Sequence, residues 1–328
     1  MSTVALGFSG GVDSAVSALL LKKEGYDVRG VYLDNTDEAA RKDAEEGAEI
    51  VGIPLQIIDV HKDLEKHVCT PFCEAYLRGE TPNPCILCNP VLKFRNLLDI
   101  GCDYIATGHY AKAVNGAIFK GHSDNDQSYM LCRLTPEQAA RLILPLGDYP
   151  KSQVRALAEQ FGLPVAKKPD SMEICFIPDK DYISWLEARV PGCSRRSGNV
   201  VFHGSVIANH NGICRWTVGQ RYPGLVDGRK VYISRICAET DEIELALWEE
   251  LFTCDVYARD FCTLCSMPSD FEGSIKVRHT KWENPSCRVH VENGMLHAVC
   301  DEPVRAPAPG QSAVIYCGER LIGGGFIV

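Results

Sequence analysis

The amino-acid sequence predicts an α/β protein in three parts: an N-terminal doubly wound parallel sheet, a small central domain and a C-terminal β-barrel-like domain. Three observations carry this expectation. Over the first 110 residues, short apolar runs alternate with helix-period segments, the pattern of a parallel sheet covered on both faces. After about residue 170 helical periodicity fades and turns become frequent. From about residue 250 the runs are short and alternate apolar with polar residues, as half-buried strands do. The expected divisions are residues 1–168, 169–247 and 248–328.

Taken in order, "TVALGF" is a short apolar strand, and "AVSALLLKKEGY" follows it with Val16, Leu19 and Leu20 at helical spacing and Gly25 at the helix end. "DVRGVYLD" reads as the next strand, "DEAARKDAEEGAEIVG" as a helix and "PLQIIDV" as a strand. "DLEKHVCTPFCEAYLRG" and "KFRNLLDIG" are helical, and "DYIATGHYA" is one further strand. "TPEQAARLILPLG" opens with Thr135, Pro136 and Gln138, a capping-box start. "KSQVRALAEQFG" is a helix closed near Gly162. In the last part "GSIKVRH", "CRVHVENGMLHAVC" and "QSAVIYCGERLIGGGFIV" read as strands, with Asn293-Gly294 as a hairpin turn.

Composition narrows the class. The chain is 45% hydrophobic and 23% charged, as soluble globular proteins are. No apolar run reaches the roughly 18–20 residues of a membrane-spanning helix. "MSTVALGF" does not read as a signal peptide, so a cytoplasmic location with no membrane partner is expected. In that reducing compartment 16 cysteines are free, metal-bound or catalytic rather than a disulfide framework. The net charge of −9 argues against a nucleic-acid partner, but residues 166–235 carry 11 Lys or Arg against 6 Asp or Glu. That window holds Lys167, Lys168, Arg195, Arg196, Arg215, Arg221, Arg229 and Lys230. It suits a phosphate-facing strip or an ordinary solvated surface, and charge alone does not separate the two.

"LGFSGGVDSAV" (6–16) lies between a strand and a helix. Gly10 and Gly11 allow a tight turn against an anion, and the helix that follows aims its N–H groups at it. Ser9 and Ser14 add hydroxyls, and Asp13 can hold Mg²⁺ beside a polyphosphate. The Gly-Lys-Ser/Thr element of a Walker loop is missing. A loop that grips the terminal phosphates as a leaving group suits attack at the α-phosphate, which makes an adenylate and releases pyrophosphate.

Two cysteine-bearing loops are candidates for the nucleophile that follows: "TPNPCILCN" (81–89), with Cys85 and Cys88, and "DSMEICFIP" (170–178), with Cys175. Lys93, Lys167 or Lys168 nearby would lower a thiol pKa. On spacing alone Cys85 and Cys88 fit a metal site, a redox pair or a nucleophile with a chance neighbour. Cys69 and Cys73, at i and i+4 on a helix, and Cys262 and Cys265, without a companion pair, read as packing thiols.

The Ser-Gly-Gly-Val-Asp-Ser string resembles the PP-loop ATP pyrophosphatases, an adenine nucleotide alpha hydrolase-like fold. "SGGVDS", "TPNPCILCN", "KFRNLL", "DYIATGHYA", "DQSYML", "AKKPDSMEICFIP", "GICRWTVGQR" and "PGQSAVIYCGERLIGGGFI" occur in the order seen in the tRNA-specific 2-thiouridylases. The resemblance implies ATP and Mg²⁺ as cofactors and ATP contacts at Gly7, Phe8, Ser9, Gly10, Gly11, Val12, Asp13, Ser14, Leu33 and Gly108. It implies Cys88 as nucleophile and Cys175 as the persulfide carrier. It implies tRNA contacts at Asn83, Pro84, His109, Asp126, Gln127, Ser128, Arg278, His279 and Gln311, with a solvated strand face the equal alternative for Arg278 and His279. The expected reaction replaces the C2 oxygen of the wobble uridine with sulfur from a cysteine desulfurase, a relay protein or free sulfide.

Two departures keep alternatives open. Cys85 stands where many relatives have Asp, so Cys85, Cys88 and Cys175 together are candidate ligands of a [4Fe–4S] cluster. Persulfide chemistry on Cys88 and Cys175, with Cys85 as helper, competes with that reading. The segment after "YLDN" is also short for the resemblance, which opens the identity of the donor. A PP-loop ligase or desulfidase for a small molecule, and a non-catalytic tRNA-binding redox sensor, are the other functional classes.

Overall fold

The apolar run Thr3–Gly7 is the middle of a five-stranded sheet in which Val4, Ala5 and Leu6 have no exposed surface. The computed structural model describes residues 1–35, 37–167, 174–177, 180–278 and 283–328. The sheet order is Leu55–Asp59, Asp27–Asp34, Thr3–Gly7, Tyr104–Ala106, Leu142–Ile143, and every pair is parallel. Helices Val12–Lys23, Glu38–Val51 and Lys151–Gln160 cover one face through Val16, Leu21, Ala44, Ala48, Val154 and Ala158. Phe94, Leu97 and Ile86 cover the other. Both faces are closed, as continuous apolar strands require.

The capping box forms as expected: Gln138 N donates to Thr135 Oγ1 (3.1 Å), and Thr135 N donates to Gln138 Oε1 (2.9 Å). That helix stops at Ala140, however, and Leu142–Ile143 becomes the last strand of the parallel sheet. "DYIATGHYA" is not one strand. Tyr104–Ala106 belongs to the parallel sheet, while Ala111–Val114 pairs with Ala117–Lys120 in a hairpin. Asn115 and Gly116 turn it at φ 51° and 75°, the left-handed geometry of a two-residue turn. "TPNPCILC" is loop only through Asn83: Pro84–Cys88 is a short α-helix, followed by a π-turn Asn89–Lys93 and an α-helix Phe94–Asp99. Pro90, which has no N–H to give, lies within the widened turn.

Six C-terminal strands close into a barrel: Phe252–Thr263, Met295–Arg305, Ser286–Glu292, Asp270–Lys276, Ser312–Cys317 and Arg320–Ile327, with the first and last paired. The Asn293-Gly294 turn joins two of them as expected. The hairpin of residues 111–120 adds to this sheet at Arg320–Phe119. One apolar core therefore runs from Phe94, Ile118, Tyr129 and Leu131 into Val314, Tyr316 and Leu321. The expected unit 1–168 thus lends a hairpin to the expected unit 248–328. Between them the chain forms helix Tyr182–Arg189 and a four-stranded sheet in the order Tyr232–Cys237, Glu242–Ala246, Ser197–Phe202, Ser205–Asn211.

Candidate active site

In the parallel sheet the chain order reverses between Thr3–Gly7 and Tyr104–Ala106. The crevice at the carboxyl ends of two such strands is where open α/β sheets take ligands. Gly7 to Ser14 leave one of these strands and Gly108 follows the other. Phe8 and Val12 are buried, so they offer the crevice backbone rather than side chain. Gly10 has φ +72°, and a Cβ there would lie 2.3 Å from the Asp43 carbonyl oxygen. Only glycine lets the loop lie this close to helix Glu38–Val51.

The loop is wired internally. Ser14 Oγ donates to Gly11 O (3.0 Å), and Ser9 N donates to Ser14 Oγ (3.3 Å). Helix Val12–Lys23 has no side-chain cap at its N-terminus, so its first N–H groups face the loop and are available to an anion. Asp13, in the first turn, is held from two sides. Lys151 Nζ lies 2.8 Å from both carboxylate oxygens, and Tyr110 Oη donates to Oδ1 at 2.6 Å. A Cβ on Gly108 would stand 3.0 Å from Asp13 Cβ, so backbone packs directly on this carboxylate. The carboxylate fits a cation, since it already holds an ammonium group. Lys151 and Tyr110 escape detection in the sequence because neither is in the loop; a lysine opening the helix after "GDYP" is the only signal.

The cysteine helix begins where Asn83 caps it: Asn83 Oδ1 accepts from Cys85 N (3.2 Å), with Pro84 in the first turn. Cys85 and Cys88, three apart, share one side of this turn. The barrel braces the entry. Gln311 Nε2 donates to Thr81 O (2.8 Å), Thr81 N to Pro309 O (2.7 Å), and Arg259 Nη2 to both Glu80 oxygens (2.9 and 3.1 Å).

Cys88 is half-buried and Cys175 is exposed. Cys88 packs with Leu33 and Phe176 against a cluster of Val60, Leu64, Val68, Cys69 and Leu92. Asn35, just past the strand beside the phosphate loop, donates through Nδ2 to the Cys175 carbonyl (3.5 Å). Leu33, Cys88 and the Cys175 segment therefore meet over one apolar patch beside the loop. Burial pushes the Cys88 thiol up to about 11; Lys93 pulls it down, and Cys175 and Cys85 push the same way as burial. Cys175 is also raised. Its sulfur lies among protein atoms although the residue reaches solvent, so partial desolvation leads, with Cys85 adding to it and Lys93 opposing. Among the described residues no three His, Cys, Asp or Glu side chains converge as a metal-ligand set. The expectation of a [4Fe–4S] cluster on Cys85, Cys88 and Cys175 finds no support in this arrangement.

The other implied contacts differ in placement. His109 Nδ1 lies 2.7 Å from Thr107 Oγ1, and its ring stacks on Phe94. Desolvation, then Lys93, hold it well below the ordinary histidine range, so it is neutral. Asp126 and Ser128 are turned inward. Asp126 accepts from Gly121 N, Ser128 N and Ser128 Oγ, and the fully buried Ser128 meets Tyr316 Oη (3.0 Å). Gln127 Oε1 accepts from Tyr110 N. Arg278 donates through Nη2 to Val218 O (2.5 Å) and Ala306 O (2.8 Å), tying the barrel to the central domain. His279 and Lys168 lie outside the described residues. In the central domain Arg195, Arg196, Arg215, Arg221, Arg229 and Lys230 are all exposed. Cys69 and Cys73 are buried, as expected of packing thiols, whereas Cys262 and Cys265 are only half-buried. Among the described residues no helix is long and apolar enough to cross a membrane.

This is an α/β nucleotide-binding fold with a PP-type phosphate loop and two thiol-bearing segments beside it. Residues 2–179 match the model of the tRNA methyl transferase HUP domain, and residues 255–327 that of the aminomethyltransferase beta-barrel domain. The tRNA-specific 2-thiouridylase MnmA of Carboxydothermus hydrogenoformans is 38% identical, with 99% of this chain and 97% of that protein aligned. MnmA 1 of Clostridium botulinum (strain Okra) is 37% identical over 99% of this chain and 98% of its own length. Among solved structures, a 4-thiouridine synthetase in complex with RNA and ATP gives a TM-score of 0.37 at 21% identity, covering 58% of this chain and 50% of that one. The chain belongs to the tRNA-specific 2-thiouridylase family.

Proposed function

We propose that this protein is an ATP-dependent tRNA 2-thiouridylase that exchanges the C2 oxygen of the wobble uridine for sulfur. The observation that carries the reading is the meeting of Cys88 and the Cys175 segment at Leu33 and Asn35, at the end of the strand that pairs with the one leading into the phosphate loop. Gly10, Gly11 and the open helix N-terminus at Val12 cradle the phosphates of ATP. The uridine O2 attacks the α-phosphorus, the adenylate forms, and pyrophosphate leaves. Mg²⁺, when bound, neutralises phosphate charge, and Asp13 is the carboxylate that would hold it.

The Cys175 thiolate, on the more exposed residue of the two, attacks the terminal sulfur of a donor persulfide; the donor's S–S bond breaks, its thiol leaves, and Cys175 carries the persulfide. Its terminal sulfur attacks C2 and AMP departs. The Cys88 thiolate then attacks Cys175 Sγ, the S–S bond breaks with its electron pair going to the sulfur on C2, and a Cys88–Cys175 disulfide remains. Two external thiols, or one dithiol, reduce this disulfide by exchange and leave as their own disulfide. A uridine reaches this site only when flipped out of the anticodon stack, and the exposed arginines of the central domain supply a phosphate track. Family membership supports tRNA as substrate; the surface cations support its binding despite the net charge of −9.

The test is to incubate the protein with ATP, Mg²⁺, a persulfide donor (a cysteine desulfurase with cysteine), a reducing thiol and unmodified tRNA, and to digest the tRNA for 2-thiouridine. The reading fails if neither thiolated nucleoside nor tRNA-dependent pyrophosphate appears. Cys88→Ser is expected to abolish thiolation while ATP binding is kept. Anaerobically purified protein is expected to be active without iron; thiolation that tracks bound iron and sulfide would replace the persulfide route with a cluster.

A further inference from the structure

The phosphate loop has an electrostatic difficulty. It lacks a lysine of its own, and it carries a carboxylate, Asp13, in the first turn of the helix that would meet the phosphates. An uncompensated Asp13 would repel ATP. In the structure the missing cation comes from elsewhere: Lys151, the first residue of helix Lys151–Gln160, lies 2.8 Å from both Asp13 oxygens.

The pair is built rather than incidental. Tyr110 Oη donates to Asp13 Oδ1 (2.6 Å), and the Lys151 ammonium lies 5.4 Å from the Tyr110 ring centroid. The Gly108 backbone packs on Asp13 from the other strand of the crevice. It is also accessible: the Lys151 and Asp13 side chains keep 23% and 32% of their surface. A charge pair at a solvent-open crevice exchanges partners readily, because water and incoming ions compete for both members.

We propose that Lys151 is the phosphate-charge residue of this loop, parked on Asp13 until nucleotide arrives. The ammonium occupies the carboxylate that the cation accompanying ATP would take. When Mg²⁺–ATP enters, two like-for-like replacements occur: Lys151 moves from carboxylate to phosphate oxygens, and Asp13 passes from the ammonium to the metal ion. No net charge is buried or stranded in either state. The loop thereby does without a lysine in its own sequence, and the charge it needs is delivered only where Asp13, Tyr110 and Gly108 have assembled the crevice. This inference rests on the reading of the loop as an ATP site.

The experiment compares binding of ATP with Mg²⁺, ATP in EDTA, and adenosine to full-length wild type, Lys151→Met and Asp13→Asn by calorimetry. Lys151→Met is expected to weaken Mg²⁺–ATP by at least tenfold and to leave adenosine within twofold, because the lysine meets only phosphates. Asp13→Asn is expected to bind metal-free ATP at least threefold tighter than wild type, since its lysine is released to the phosphates. Mn²⁺ alone, followed by its paramagnetic resonance, is expected to bind Lys151→Met and not wild type. If wild type binds no ATP, the ATP reading itself fails. If wild type binds and Lys151→Met matches it, or Asp13→Asn does not gain in EDTA, the lysine exchange is overturned. Should Lys151→Met not fold, the Asp13→Asn comparison decides alone.

Discussion

Cys88 sits under opposed influences, and its titration measures which one prevails. Burial, reinforced by Cys175 and Cys85, raises its thiol from the ordinary 9.0 to about 11, against the pull of Lys93. At pH 7.5 a thiol at 9.0 is roughly 3% ionised, and one at 11 roughly 0.03%. The resting enzyme thus holds about a hundredfold less Cys88 thiolate than an ordinary site. A thiolate of higher pKa is intrinsically more nucleophilic, with a Brønsted coefficient of about 0.4–0.5, which returns roughly a factor of ten. The net expectation is alkylation by iodoacetamide about tenfold slower than free cysteine at pH 7.5. The logarithm of the rate should climb with unit slope until near pH 11. The assay is mass-spectrometric quantification of the carbamidomethylated peptide carrying Cys88, over pH 7 to 11. Lys93→Met removes the opposing cation, so its break should move to still higher pH and its rate at pH 7.5 should fall further. A plateau at or below pH 8.5 in wild type would refute the reasoning, because Lys93 would then outweigh burial.

Other perturbations follow from the fold. Gly10→Ala would drive a Cβ to 2.3 Å from Asp43 O; ATP binding is expected to be lost and the melting temperature to fall, as calorimetry and thermal melts would record. Thr135→Ala removes the capping box at about 1 kcal/mol, so a drop in melting temperature of about 2 °C is expected with thiolation intact. The buried Cys287 and Cys300 are raised to about 12 and about 11, by burial first and by neighbouring thiols and carboxylates second. Their folded values exceed the unfolded one, so their contribution to stability is whole below about pH 9 and is lost as pH rises through 11 to 12. Each costs at most about 1.4 kcal/mol per pH unit in that window. Urea midpoints at pH 8 and pH 10.5 check this, and equal midpoints would contradict it.

The legible parts of this molecule were those set by local chemistry. Strand Thr3–Gly7, the Thr135–Gln138 box and the Asn293-Gly294 turn each follow from residues a few positions apart. Asn115-Gly116 carries the same hairpin signal, and its turn was equally readable. What no local pattern states is the destination of that hairpin. Its pairing with Arg320 joins segments two hundred residues apart, and only the shared core of Ile118, Tyr129, Val314 and Tyr316 selects it. The cysteine segment misled for a related reason. Prolines on either side of Cys85 read as loop punctuation, yet Pro84 suits a first helical turn and Pro90 is absorbed by a π-turn.

At the site the same division recurs, and it bears on how the residues act. The loop glycines, Cys88 and Cys175 were visible because their chemistry is in their type and spacing. Lys151 and the barrel contacts were not, because they act only across the fold. The implied tRNA residue Gln311 shows what is gained by seeing both. Its amide holds Thr81 while Arg259 holds Glu80, so the barrel fixes the turn that delivers Asn83, Pro84 and Cys85. If Gln311 also meets tRNA, as the family resemblance implies, the barrel that braces the cysteine helix would couple the two. Residues 309–311 are hydrogen-bonded to Thr81, so a displacement of one segment would be felt by the other. The protonated resting thiols fit that coupling. Burial holds the Cys88 thiol protonated at rest, and in the proposed reaction its thiolate is needed only once a persulfide and an adenylated uridine are both in place.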